Sequence, residues 1–253
     1  MTRRTDDFLL PGNQPELIQK IRARTPARLL EGRAGSAYRT CTQLDLRLAH
    51  ANARDAVRTE LDTSGQFGLE FVKQWKLFEV CTRANSKDDY LLNPSLGRGF
   101  SEASRAEVLK RCTAGSNLQI AIGDGLSVTA VIAQVPTLLP ALYDGAKARG
   151  WSTGEVFVIR HCRVGILNEI GELLAPRVAV LLIGERPGLA TDESLSAYMA
   201  YEPRMTQTDA HRNLISNIHA RGVSPTAAAV RILDLADQMM QAKYSGTKLT
   251  AES

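Results

Sequence analysis

The rhythm of hydrophobic and polar positions changes near residue 117 of this chain. Beyond that point short, dense apolar runs recur: Leu118-Gln119-Ile120-Ala121-Ile122, Val156-Phe157-Val158-Ile159 and Val178-Ala179-Val180-Leu181-Leu182-Ile183. Runs of this length, rich in branched residues, fit strands covered on both faces, as in a parallel sheet. Between them the spacing turns helical. Ser127 is placed to cap one helix, Pro136 marks the start of a second stretch that Gly150 closes, and Ile166, Leu167, Ile170, Leu173 and Leu174 repeat every three to four positions. A last helix opens at Ser224-Pro225, runs through Val230, Leu233, Ala236 and Met240, and stops near Ser245-Gly246. Alternating strands and helices predict an α/β fold: a Rossmann-like, mostly parallel sheet with crossover helices.

The pattern before residue 117 predicts a mostly helical N-terminal portion. Pro15 opens a short helix through Ile21, and Gly32-Arg33-Ala34-Gly35-Ser36 reads as a glycine-punctuated loop. From about 40 to 60, Leu44, Leu48 and Ala51 form the apolar stripe of an amphipathic helix, with Arg47, Arg54, Asp55 and Arg58 outside it. The stretch from Phe67 to Val80 carries both helix and strand signals and stays open. Leu92 to Gly99 reads as loop, and Ser101 caps a helix whose first turn holds Glu102 and whose end holds Lys110-Arg111. The division expected is a flexible tail over 1–15, a helical domain over 16–115 and the α/β domain over 116–253.

Composition removes several classes of function. The 31 Lys and Arg against 27 Asp and Glu are too balanced and scattered for a nucleic-acid footprint, so no DNA or RNA partner is expected. No apolar core follows Arg3-Arg4, and no run approaches a membrane span, so a soluble, intracellular protein with no membrane partner is expected. Cys41, Cys81, Cys112 and Cys162 are far apart and form no CxxC pair, which fits reduced structural thiols. Of His50, His161, His211 and His219, the last two are eight residues apart, a poor spacing for one metal ion; each reads as a hydrogen-bonding surface or core histidine, and no metal site is expected.

Two loops at strand ends could carry chemistry. Gly123-Asp124-Gly125-Leu126-Ser127 either holds an anion on helix N–H groups or is a tight turn with one acid. It lacks the third glycine of a dinucleotide fingerprint. Gly184-Glu185-Arg186-Pro187-Gly188 either presents a carboxylate and a guanidinium to a ligand or is a turn with an internal ion pair. Nucleophile elbows, P-loops and HExxH motifs are missing, which favours a binding subunit over a free-standing catalyst.

Several blocks in register resemble the small (light) subunit of ethanolamine ammonia-lyase: Gly32-Arg33-Ala34-Gly35, Asp124-Gly125-Leu126-Ser127, Gly184-Glu185-Arg186-Pro187-Gly188-Leu189, Glu193-Ser194-Leu195-Ser196 and Ile215-Ser216-Asn217-Ile218-His219. The resemblance runs over roughly residues 16 to 250. It implies an adenosylcobalamin-dependent radical reaction that turns ethanolamine into acetaldehyde and ammonia. It also implies a large TIM-barrel partner that binds the substrate, and no catalytic residue in this chain, which would be inert alone. The family's cobalamin contacts carry over to Val164, which follows His161-Cys162-Arg163, to Glu185, and to Leu214, where relatives usually have cysteine. Leu214 is expected in a loop near the other two. Relatives associated with bacterial microcompartments often carry a longer leader, so the expected location is the cytoplasm, with a microcompartment as the second location the resemblance allows. The competing reading is a stand-alone Rossmann-like binding module without cobalamin.

Overall fold

A computed structural model describes residues 15–25, 27–188 and 190–251. Most of the expected tail, and Leu189 of the last loop, lie outside the described residues. The N-terminal portion contains α1 (Pro15–Ala23), a two-residue hairpin of β1 (Arg33–Ala34) and β2 (Ala37–Tyr38), then α2 (Thr40–Arg58), α3 (Thr63–Phe67) and α4 (Leu69–Trp75). The undecided stretch thus divides: α4 ends in a left-handed Lys76, and β3 (Phe78–Cys81) follows. After α5 (Lys87–Leu92) a short 3-10 turn over Leu96–Arg98 leads to α6 (Glu102–Arg111), whose Ser101 cap accepts from the Ser104 N–H.

The second half contains β4 (Leu118–Gly123), α7 (Val128–Ala148), β5 (Phe157–Arg160), α8 (Ile166–Leu174), β6 (Val178–Gly184), β7 (Leu195–Tyr201), β8 (Asn213–Ile218), α9 (Pro225–Ala242) and α10 (Thr247–Ala251). Six strands form one sheet in the order β3-β5-β4-β6-β7-β8. The first four are mutually parallel, and β7 and β8 add an antiparallel edge. The α/β class is as the pattern predicts, with one strand contributed by the N-terminal portion and two by a segment read without strands.

Alternation along the central strands builds two cores. Ile120, Ile122, Val158, Val180 and Leu182 face α7 and α9, while Ala121, Phe157, Ile159, Leu181 and Ile183 face α8. Both faces are covered, which explains why these strands read as unbroken apolar runs.

Two helices differ from their sequence patterns. The segment after Ser127 is one 21-residue helix that runs through Pro136 and Pro140, not two stretches. Pro136 is exposed, so the carbonyl it leaves unbonded can reach water, while Val131, Val135, Leu138, Leu139, Leu142 and Ala146 hold the opposite face in the core. In α2 the stripe predicted to be buried is not: Leu44 and Leu48 are 58% and 62% exposed. The helix instead turns Thr42, Leu46, Ala49, Ala53 and Ala56 inward, a stripe whose small residues permit a close approach to the body.

Candidate functional site

β4 and β6 are neighbours whose chains leave in opposite directions, one through α7 to β5 and the other to β7. Ligand sites of open α/β sheets lie beyond the carboxyl ends of such a pair. Here that crevice is packed shut by backbone. The Leu126 N–H donates to the Gly184 carbonyl at 3.0 Å, and the Ser127 hydroxyl both caps α7 through the Ala130 N–H and bonds the Asp192 carbonyl. Gly125 takes φ +58° directly against Gly184, where a Cβ would meet the Gly184 carbonyl carbon at 3.1 Å. The Gly123–Ser127 motif is therefore a tight turn with one acid pointing inward, and its helix N-terminus is occupied by Ser127.

That acid organises the adjoining loop. Asp124 is fully buried and accepts from the N–H groups of His161 and Cys162, each at 2.8 Å. Lys87 Nζ, itself only 7% exposed, stands 3.9 Å from the carboxylate. Burial raises the Asp124 carboxyl above its ordinary range, opposed first by Lys87 and then by the two N–H donors. His161 sits at φ +56°, with its ring contacting the Ala84 carbonyl and Glu60. Tyr90 donates to the Cys162 carbonyl at 3.0 Å, and the Arg163 guanidinium covers the Tyr90 ring at 4.2 Å. Residues 161–163 are thus held from several sides, which fixes the backbone that presents Val164.

Val164 is half-buried in the turn before α8, packed on the same core as Tyr198. Glu185 follows β6, with its N–H bonded to the Ser194 carbonyl at 3.0 Å and its carboxylate near the Tyr198 hydroxyl. Burial, and then that carboxylate, raise the Tyr198 hydroxyl above its ordinary range. Leu214 lies in β8 rather than in a loop, directly opposite Tyr198 in the antiparallel ladder. Paired positions share a face, so Leu214, 45% exposed, stands beside Tyr198 on the α8 side. The segment around Leu214 looked irregular because its half-exposed edge strand lacks an apolar run.

Arg98 and Arg212 complete the surface. Arg98 lies over Gly165, whose Cβ would stand 2.8 Å from Arg98 Cγ. Arg212 pairs with Asp209 and donates to Asn168 Oδ1 at 2.8 Å, while its buried Nε has no partner among the described residues. Burial, and the charge of Arg98, lower the Arg212 pKa, while Asp209 opposes them. Tyr198 thus stands beside Leu214 and near Glu185, with Val164 packed on the same side of the sheet; the sequence reading singled out neither Tyr198 nor Arg98 and Arg212. The one available clue was Leu195-Ser196-Ala197-Tyr198-Met199-Ala200-Tyr201, an alternating run after a turn. Arg186 is exposed, and Glu185 lies near Tyr198 rather than in the internal ion pair that was one of the two readings of this turn.

His211 and His219 have structural partners. His211 Nδ1 accepts from the Thr208 N–H, and His219 accepts from the Arg221 N–H on Nδ1 while Nε2 meets Asn217 Oδ1 at 2.7 Å. Burial lowers the His219 pKa. Among the described residues no group of three or more His, Cys, Asp or Glu side chains is placed to hold a metal ion, and no helix is long and apolar enough to cross a membrane.

A family model described as ethanolamine ammonia-lyase light chain matches residues 15–250. The chain is 41% identical to the ethanolamine ammonia-lyase small subunit of Clostridioides difficile over 234 residues, covering 92% of this chain and 78% of that one. It is 39% identical to the small subunit of Clostridium perfringens, covering 92% of this chain and 77% of that one. For the small subunit of Clostridium acetobutylicum the identity is 38%, with 92% of this chain and 94% of the relative covered.

Proposed function

The chain belongs to the ethanolamine ammonia-lyase light-chain family, and from that premise we propose that it closes one side of an adenosylcobalamin site shared with a large subunit, which binds ethanolamine and converts it to acetaldehyde and ammonia. Family membership makes the chain one subunit of a lyase with a larger partner. Its role at the cofactor is the finer step.

The observation that supports it is the position of Tyr198, opposite Leu214 in the β7–β8 ladder and near Glu185, with Val164 on the same side of the sheet. Its donor set fits the group. A corrin has apolar edges and a fringe of primary amides, so an apolar Val and Leu beside a carboxylate offer it both kinds of contact. The Glu185 carboxylate, near Tyr198, offers acceptor positions for amide N–H groups. The unpaired Nε of Arg212 adds a donor in the same cluster. When bound, adenosylcobalamin supplies homolytic hydrogen abstraction from the substrate. In this reading the residues of this chain bind, orient and exclude water, the chemistry on the substrate belongs to the cofactor and the large subunit, and the chain alone is inert.

Reconstitution tests the reading. Large subunit, adenosylcobalamin and ethanolamine are combined with and without this chain, and acetaldehyde is measured. Turnover should require the chain, and equal turnover without it would overturn the proposal. A narrower expectation concerns Glu185→Ala, which removes one charged hydrogen-bond acceptor worth about 1.5–3 kcal/mol. Cobalamin should bind the assembled complex roughly 10- to 100-fold more weakly, with assembly intact by sedimentation. An unchanged dissociation constant would remove Glu185 from the contact set.

A further inference from the structure

Exposed apolar side chains gather at the N-terminal end of the described chain. Among the described residues thirteen large apolar side chains are exposed, and six of them, Leu17, Leu29, Leu30, Tyr38, Leu44 and Leu48, fall between residues 17 and 48. α2 is the clearest case. It is nineteen residues long, yet only Thr42 and Ala56 are buried, and it carries apolar residues on two opposite stripes. One faces the body. The other, led by Leu44 and Leu48 four residues apart, faces outward. A helix that is apolar on both sides is stable when both sides are covered, because helices of this length depend on packing more than on propensity.

Charge indicates what covers the outer stripe. Residues 15–58 contain nine Lys and Arg against four Asp and Glu, an excess of five that exceeds the net +4 of the whole chain. A second copy would bring the same basic surface against itself. The tail over 1–14 is balanced, two Arg against two Asp, and its one apolar run is Phe8-Leu9-Leu10, too short to cover six dispersed side chains. We infer that the outward face of α2, with the apolar residues between 17 and 38, docks on the large subunit in an apolar groove rimmed by acidic residues. The inference rests on the family reading of a large partner and names the surface that meets it. A stable interface buries roughly 800 Å² per partner from about 20–30 residues, which the segment 15–58 is long enough to supply. Apolar anchors at the centre with arginines around them also match the usual anatomy of such contacts.

Hydrogen exchange of the full chain, alone and with purified large subunit, tests this. Amides of residues 40–58 should exchange at least tenfold more slowly in the complex. The double variant Leu44→Asp, Leu48→Asp alters only exposed positions, so its circular dichroism should match the unmodified chain while its association weakens tenfold or more. A complex that forms with α2 exchange unchanged overturns the docking surface and leaves the family reading standing. A chain that does not associate with the large subunit at all overturns both. Two further outcomes also sink the inference: a dimer of the chain alone that the double variant abolishes, or faster α2 exchange in the isolated chain after deletion of residues 1–14.

Discussion

Asp124→Ala should cost the chain about 3–5 kcal/mol of folding stability, in the range measured when one partner of a buried ion pair is removed. The carboxylate is fully buried, and its loss leaves the His161 and Cys162 N–H groups without an acceptor and the Lys87 ammonium, which keeps the Gly125 carbonyl at 3.4 Å, without its counter-charge. Burial holds the Asp124 carboxyl above its ordinary range, so part of its attraction for Lys87 goes to offset desolvation, and the lower half of the range is expected. Asp124→Asn is the useful comparison, because its oxygen can keep one N–H bond while its amide opposes the other and Lys87 stays unneutralised. Urea unfolding should show a lower midpoint at unchanged slope. A loss under about 1 kcal/mol would mean that the network is solvated and does not pin the loop before Val164.

Gly184→Ala should damage both the fold and the proposed cofactor contact. An added Cβ would collide with the Ser127 carbonyl oxygen and stand 2.7 Å from its carbon and 2.9 Å from the Asp124 carbonyl oxygen. All three are backbone atoms at the start of α7, so relief requires moving β6 or the helix. Overpacking of this kind costs about 1–3 kcal/mol and occasionally more, or roughly 2–12 °C in Tm for a chain of this size. The neighbouring Glu185 shifts with the strand end, so cobalamin affinity of the assembled complex should fall at least as far as in Glu185→Ala. Gly188→Ala is the control, since its Cβ meets only ordinary contacts at 3.6 and 3.9 Å. Equal melting of Gly184→Ala and the unmodified chain would show that the closed crevice is not structurally required.

Much of the fold was readable because its central strands are covered on both faces. Such strands appear in the sequence as unbroken Val, Ile and Leu runs, and β4, β5 and β6 fell where those runs lie. β8 escaped because an edge strand with one solvent face has no such run, and Leu214 was therefore expected in a loop. α7 was divided in two because proline usually ends a helix, whereas here Pro136 falls on the solvent face of a helix whose other side is deeply buried. The family was legible from separate blocks of short motif, and the match over residues 15–250 agrees with it. Which residues meet one another was not legible. Tyr198, Arg98 and Arg212 carry no motif, and only the pairing of β7 with β6 and β8 brings Tyr198 between Glu185 and Leu214.

By itself, then, the sequence determined the α/β class, the buried strands, the capped helix starts and the family, because each depends on local periodicity or on motifs contiguous in the chain. Tertiary structure alone decided that Asp124 points inward to hold a loop 37 residues away and that Glu185 lies near Tyr198. It also decided that the apolar stripe of α2 faces outward. Periodicity reports that a face is apolar, and only packing reports which surface covers it.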